Sequence, residues 1–405
     1  GAAVVFRWAG TSWVEEARLI AADGVAGDQF GRSVAISGNT AVVGAPGHDL
    51  PSKGNAGAAY VFQRTGTTWT QVAKLTAADS AASDQFGLCV DVDGETILVG
   101  APFKNGALTG SQSGAAYAFV RSGGGWSQQQ KLTDLSGSAG DLFGNSVALQ
   151  GETAVIGAPS DDVVFADRGS AHVFTRSGTL WTKQAMINPS DGITADAFGN
   201  SVAIDNGTIS IGAPSHDLTT NGNQGALYVF TGSGATWAQQ AKLTRPTPAV
   251  NDFFPTSIGI QGDTIVAGLQ TFDGIVGANQ GAGLFFTRSG TAWSAGQYFQ
   301  PNETQAGALI GSSIAISDQF VGVGSFSYSK TATGQGAAFA FRRVSGGEPS
   351  RALTITPPTP QTSASFGNRM ASDGTRLVVG AYAEDGSVGA DEGAVVGGHV
   401  DHATG

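Results

Sequence analysis

Short apolar runs alternate with polar, glycine-bearing turns along the whole chain, and no apolar run is long enough for a membrane-crossing helix. One stretch shows the unit. Leu88 to Val92 reads as a strand, and Asp93-Gly94-Glu95 turns the chain. Thr96 to Gly100 is a second strand, ended by Ala101-Pro102, and a loop from Phe103 to Ser113 follows. Ala115 to Val120 is a third strand, Ser122-Gly123-Gly124-Gly125 turns again, and Trp126 through Leu132 is a fourth. Four short strands joined by tight turns predict one antiparallel sheet.

The unit repeats. Phe-Gly recurs at Phe30-Gly31, Phe86-Gly87, Phe143-Gly144, Phe198-Gly199 and Phe366-Gly367, with degenerate copies read at Phe253-Phe254 and Ile310-Gly311. The spacings are 56, 57, 55, 55, 57 and 56 residues. Trp13, Trp69, Trp126, Trp181, Trp237 and Trp293 keep the same period at the head of the fourth strand, which reads as packing. Arg7, Arg64, Arg121, Arg176, Arg288 and Arg342 follow the third strands, where each can pack near the next ring. Seven sheet units in tandem predict an all-β, seven-bladed β-propeller with four antiparallel strands per blade.

The ends predict how the ring closes. Ala3 to Arg7 and Trp13 to Ile20 supply third and fourth strands; Asn368 to Ser372 and Arg376 to Gly380 supply first and second. Residues 368–396 plus 1–20 therefore form one blade, and the others start near 30, 86, 143, 198, 253 and 310. Length alone suggests two or three domains, but a closed ring makes 1–405 a single domain without free sheet edges. The tail from about Gly397 has no partner in the pattern. No signal peptide is visible, and the chain reads as a mature or trimmed product.

Each Phe-Gly is followed by Gly-Ala-Pro in four copies: Gly44-Ala45-Pro46, Gly100-Ala101-Pro102, Gly157-Ala158-Pro159 and Gly212-Ala213-Pro214. In this the chain resembles the FG-GAP repeat family, whose repeats form the seven-bladed head of integrin α subunits and many bacterial surface proteins. The resemblance covers essentially the whole chain and implies an extracellular or cell-surface binding role. Three copies depart from it, with Gly268-Leu269-Gln270, Gly324-Ser325-Phe326 and Gly380-Ala381-Tyr382 in place of Gly-Ala-Pro. The family's Asp-rich calcium loop lies between first and second strands, but here that link is a minimal hairpin such as Ser37-Gly38-Asn39 or Gln150-Gly151-Glu152. Ca²⁺ takes six to eight oxygens, more than such a turn supplies. No integrin-type calcium site, no other metal and no cofactor is expected.

Composition narrows the partners. A net charge of −11 repels phosphate backbones and anionic lipid, so neither nucleic acid nor membrane insertion is expected. The single cysteine, Cys89, cannot form an intramolecular disulfide and reads as a small buried hydrophobe. An Asp stands two residues before the Phe position in five repeats: Asp28, Asp84, Asp141, Asp196 and Asp252. These read as turn caps, with a cation-holding ring of carboxylates as the alternative.

Scaffold positions repeat from blade to blade, so recognition belongs where blades differ: the loop after Gly-Ala-Pro and the link into the next blade. The candidate ligand-binding residues are the aromatics Phe103, Phe165, Phe272, Phe326, Tyr328 and Tyr382, and the pairs His48-Asp49 and His216-Asp217. No nucleophile pattern accompanies the His-Asp pairs, and no catalytic residue is expected. The reading is a binding or adhesion module for a protein or carbohydrate ligand. The alternatives are a polysaccharide hydrolase or lyase with acidic residues at the channel mouth, which needs two carboxylates at defined separation, and a structural subunit of a surface assembly.

Overall fold

The computed structural model describes residues 1–106, 111–162, 165–218, 222–343 and 350–384. Among them there is no helix, and the strands form seven antiparallel sheets. The first blade runs Ser33–Ser37, Thr40–Ala45, Ala58–Thr65 and Thr68–Leu75. Blades two to six span 89–132, 146–187, 201–243, 258–299 and 313–355. The seventh takes Met370–Ser372 and Arg376–Ala381 from one end of the chain and Ala2–Trp8 and Trp13–Leu19 from the other. Val5 pairs with Val378 across that joint. First strands of successive blades touch in cyclic order, with Met370–Ser372 reaching Ser33–Ser37 to shut the ring. The expected share of residues 385–396 in the last blade, and the tail from Gly397, lie outside the described residues.

The core is seven inter-blade seams rather than one centre. Ala35, Val42 and Val61 of the first blade meet Phe86, Val99 and Tyr117 of the second, and each later pair of neighbours repeats the arrangement. Middle strands are covered on both faces, which is why they read as nearly unbroken apolar runs. Outer strands have a solvent side and alternate, as in Thr68–Leu75. In four blades the Phe of Phe-Gly lies edge-on to two rings of its own third strand, as in Phe30 to Tyr60 and Phe62 and Phe86 to Tyr117 and Phe119, and Phe366 lies edge-on to Phe6.

The repeat signature is the joint between blades. A Cβ on Gly44 would lie 2.0 Å from the carbonyl oxygen of Gly87, the Phe-Gly glycine of the next blade. Gly100 meets Gly144 at 2.1 Å, and Gly157, Gly268 and Gly324 meet their neighbours at 1.9–2.0 Å. Any side chain there separates the two blades. Beside this contact, Ser33 Oγ donates to the same Gly87 oxygen at 2.8 Å, and Ser146, Ser257 and Ser313 repeat the bond.

Two expectations need correction. In the fifth blade the Phe position is Phe254, fully buried, and Pro255 stands where the glycine belongs. The register read at Phe253-Phe254 is therefore one residue early, and the spacings on either side are both 56. At this joint Pro255 Cγ replaces the carbonyl contact, and the Ser201 hydroxyl is left buried without a partner. Cys89 is more than a small hydrophobe: its thiol occupies the serine position and donates to Gly144 O at 3.1 Å. The outer strand of the fifth blade is also split, into Ala292–Trp293 and Gln297–Phe299.

Candidate functional site

The loops after second strands and the links after fourth strands share one face and are stitched together. Ser83 N donates to Gly54 O at 2.8 Å, and the same loop-to-link bond recurs from Gly140 to Ser111, Ala195 to Ala166, Asn251 to Gly222, Gly307 to Ala278 and Ser363 to Thr333. Five of the loops are also closed on themselves. Asp49 Oδ1 accepts the Asn55 amide at 2.7 Å, and Asn105, Asp162, Asp217 and Asp273 do likewise for residues 112, 167, 223 and 279. Short polar side chains at turn starts take this role readily. The described parts of these loops are thus tied by backbone and side-chain hydrogen bonds to the neighbouring links.

Under the loops lies a polar layer that sequence reasoning missed. Asp28, Asp84, Asp141, Asp196 and Asp252 each accept the backbone amide three residues earlier, capping the entry to the first strand. They do not form an open ring of carboxylates; each turns into its own blade. Asp28 Oδ2 is 2.8 Å from His48 Nδ1, and Lys74 Nζ is 2.6 Å from His48 Nε2. The fourth blade repeats this with Asp196, His216 and Lys242 at 2.9 and 2.7 Å. In the second blade Lys104 takes the histidine position and binds Asp84 at 2.9 Å. A further acid from the preceding link joins the lysine and a third-strand tyrosine: Asp79 to Lys131 and Tyr117, Asp191 to Lys242 and Tyr228, both at 2.7 and 2.8 Å or closer. Burial raises the pKa of Asp23, Asp79 and Asp191, but the lysine and tyrosine hydrogen bonds outweigh it and hold all three below the usual carboxylate range.

This layer decides the fate of the predicted residues. His48 and His216 are buried, with a carboxylate on one ring nitrogen and an ammonium on the other, so neither imidazole has a free edge. Asp49 and Asp217 are loop closers. Tyr328 is 4% exposed, stands at the histidine position of the sixth blade, and donates to Glu303. Phe272 holds that position in the fifth and packs against Tyr298 and Arg245. Tyr382 lies under the Arg32 guanidinium. Phe103 and Phe326 are half-buried, and Phe165 is 46% exposed. The Arg-over-Trp contact is present in Arg176 with Trp181 and Arg288 with Trp293, at 5.2 Å.

The missed signal was an offset. The fourth residue after the Gly-Ala-Pro glycine reads His48, Lys104, Asp161, His216, Phe272, Tyr328, Glu384. In all seven blades this side chain makes a charged or aromatic contact with its own layer; Glu384, for instance, pairs with Arg18 at 2.7 Å.

What remains accessible differs between blades. Exposed apolar groups on the loop face, among the described residues, are Ile20, Val25, Leu135, Phe165, Ile193, Val250, Ile275 and Val276, most of them from the third to fifth blades and their links. A cleft of about 310 Å³ opens elsewhere, between the outer strands of the third and fourth blades, lined by Met186, Phe230, Trp237 and neighbours with no titratable group among them.

Five stretches match the family model described as FG-GAP repeat: residues 13–62, 69–119, 126–174, 181–230 and 237–283. Each begins at a fourth-strand tryptophan and ends in the third strand of the next blade, so the matched unit spans one joint. No curated protein matches the chain.

Proposed function

The chain belongs to the FG-GAP repeat family, and on that premise we propose that it is an extracellular binding module engaging a protein or glycan through the loop face. The observation that carries this is the contrast between two layers of the same loops. The polar layer beneath recurs in the first, second and fourth blades, whereas the side chains above it, such as Phe165, Ile275 and Val276, do not. A ligand that reads one surface needs such differences. Isolated aromatic and aliphatic groups beside polar loop atoms suit protein contact or the apolar face of a sugar.

The test is a screen of the purified chain on glycan and protein arrays, with Phe165→Ser and Ile275→Ser in parallel. The proposal expects a ligand whose binding falls at least tenfold in the variants with melting temperature unchanged. Binding that survives both substitutions and is lost on altering the opposite hairpins would overturn it. So would turnover of a polysaccharide abolished by one Asp substitution. Protease accessibility on intact cells tests the location: cleavage only after lysis counts against it.

A further inference from the structure

The third blade departs from the polar layer of its neighbours at three positions together. The histidine-or-lysine position is Asp161, the third-strand tyrosine is His172, and the alanine found at that strand's start in the other blades is Ser170. Where the second blade sets Asp79 and Asp84 against Lys104 and Lys131, this layer sets Asp134, Asp141 and Asp161 against Lys183 alone. The cation that the second blade builds from Lys104 is missing, and a further carboxylate stands in its place.

Hydrogen bonding fixes the imidazole. Ser170 Oγ touches both Asp161 Oδ2 and His172 Nε2, the latter at 2.8 Å. A carboxylate only accepts, so the single hydroxyl proton goes to Asp161 and Nε2–H donates to Ser170. In the uncharged ring, Nδ1 then carries a lone pair. His172 is 0% exposed, and Nδ1 has no hydrogen-bond partner. It points at Asp134 Oδ2, 3.7 Å away. A buried lone pair facing a carboxylate oxygen is repulsive unless a positive charge sits between them. One ligand atom each from Asp134, Asp161 and His172 lies within 4.8 Å of the other two. A second buried oxygen of this layer, Asp141 Oδ1, also lacks a partner.

The geometry points to a divalent-cation site formed by Asp134, Asp161 and His172, beneath the loop face of the third blade. The mixed donor set selects the class. Imidazole nitrogen with carboxylate oxygen suits Zn²⁺ or Mn²⁺, whereas Ca²⁺ takes oxygen ligands. Ser170 serves as the outer partner that orients a ligating histidine. The site is separate from the first-to-second-strand hairpins and pins the loop after Ala158 to the link that carries Asp134.

Isothermal titration of the chelator-stripped chain with ZnCl₂, MnCl₂ and CaCl₂, with melting curves alongside, tests this. One equivalent of Zn²⁺ or Mn²⁺ binds and raises the melting temperature, and Ca²⁺ binds at least tenfold more weakly. Converting the layer to the second-blade set with Asp161→Lys, His172→Tyr and Ser170→Ala abolishes binding and gives a melting temperature above that of the stripped parent. His172→Gln alone weakens binding at least tenfold. The inference is overturned if the parent binds no stoichiometric metal, if Ca²⁺ binds as tightly, or if the substituted chains bind like the parent.

Discussion

Gly380 faces Gly31 across the ring closure: a Cβ on Gly380 would lie 2.2 Å from the Gly31 carbonyl oxygen, the same contact that Gly44 makes with Gly87 within the chain. The closing joint is built like the internal ones, although its two sides are some 350 residues apart in sequence. Six of the seven joints share this contact, and the ring they form carries the loops on one face.

The joint glycines should be the least replaceable residues. Gly44→Ala places a methyl 2.0 Å from Gly87 O and 2.2 Å from Ser33 Oγ, so the blades must part. The expected loss is about 3 kcal/mol or more in denaturant unfolding. Gly38→Ala, at φ +55 with open space around it, costs only about 1 kcal/mol.

Lys104 is the counter-charge of Asp84, and both are buried. Lys104→Met leaves a buried carboxylate unpaired and should cost about 3–5 kcal/mol by the same measurement. Lys53→Met, partly exposed with its ammonium on Ser80 Oγ, should change little.

Cys89 stands in for serine, so Cys89→Ser should match the parent within about 1 kcal/mol, and Cys89→Ala should lose about that much with the bond to Gly144. Burial pushes the thiol up to about 12, so a thiol-directed reagent at pH 8 should label the folded protein far more slowly than the unfolded one.

Asp91 sets a pH dependence. Burial against the next blade raises its carboxyl to about 7, outweighing the amides of Leu149 and Val92 that favour the charged form. The folded state therefore prefers the neutral acid. Its contribution is complete below the unfolded value near 4 and is lost as pH rises through about 7. The parent's advantage over Asp91→Asn should shrink between pH 4 and 8 in parallel denaturation curves; a constant difference refutes this.

The fold was legible because the joint demands glycine on both sides. Wherever Gly44 and Gly87 have counterparts, spacing alone locates a blade. The register slipped by one residue at Phe254 because Pro255 replaces the glycine that marks it. The polar layer was not legible in any one motif. Asp28, His48, Tyr60 and Lys74 come from four segments, and only folding brings them together. Looked at singly, His48 resembles a binding residue; its burial follows from an aspartate twenty positions earlier. The exposure of Phe165 and the burial of Tyr328 likewise depend on how each loop closes, which their shared aromatic character does not reveal.

The account depends most on the ring being closed by both ends of the chain. Trp8 N donates to Thr375 O, which makes Val5 and Val378, three pairs along, directly opposed without hydrogen bonds of their own. Side chains approach closely at such pairs, within disulfide reach. Peptide mapping of the oxidised Val5→Cys/Val378→Cys chain should recover one disulfide joining the two terminal peptides, with a raised melting temperature. Recovery of two free thiols from the folded, oxidant-treated protein would contradict the closed ring.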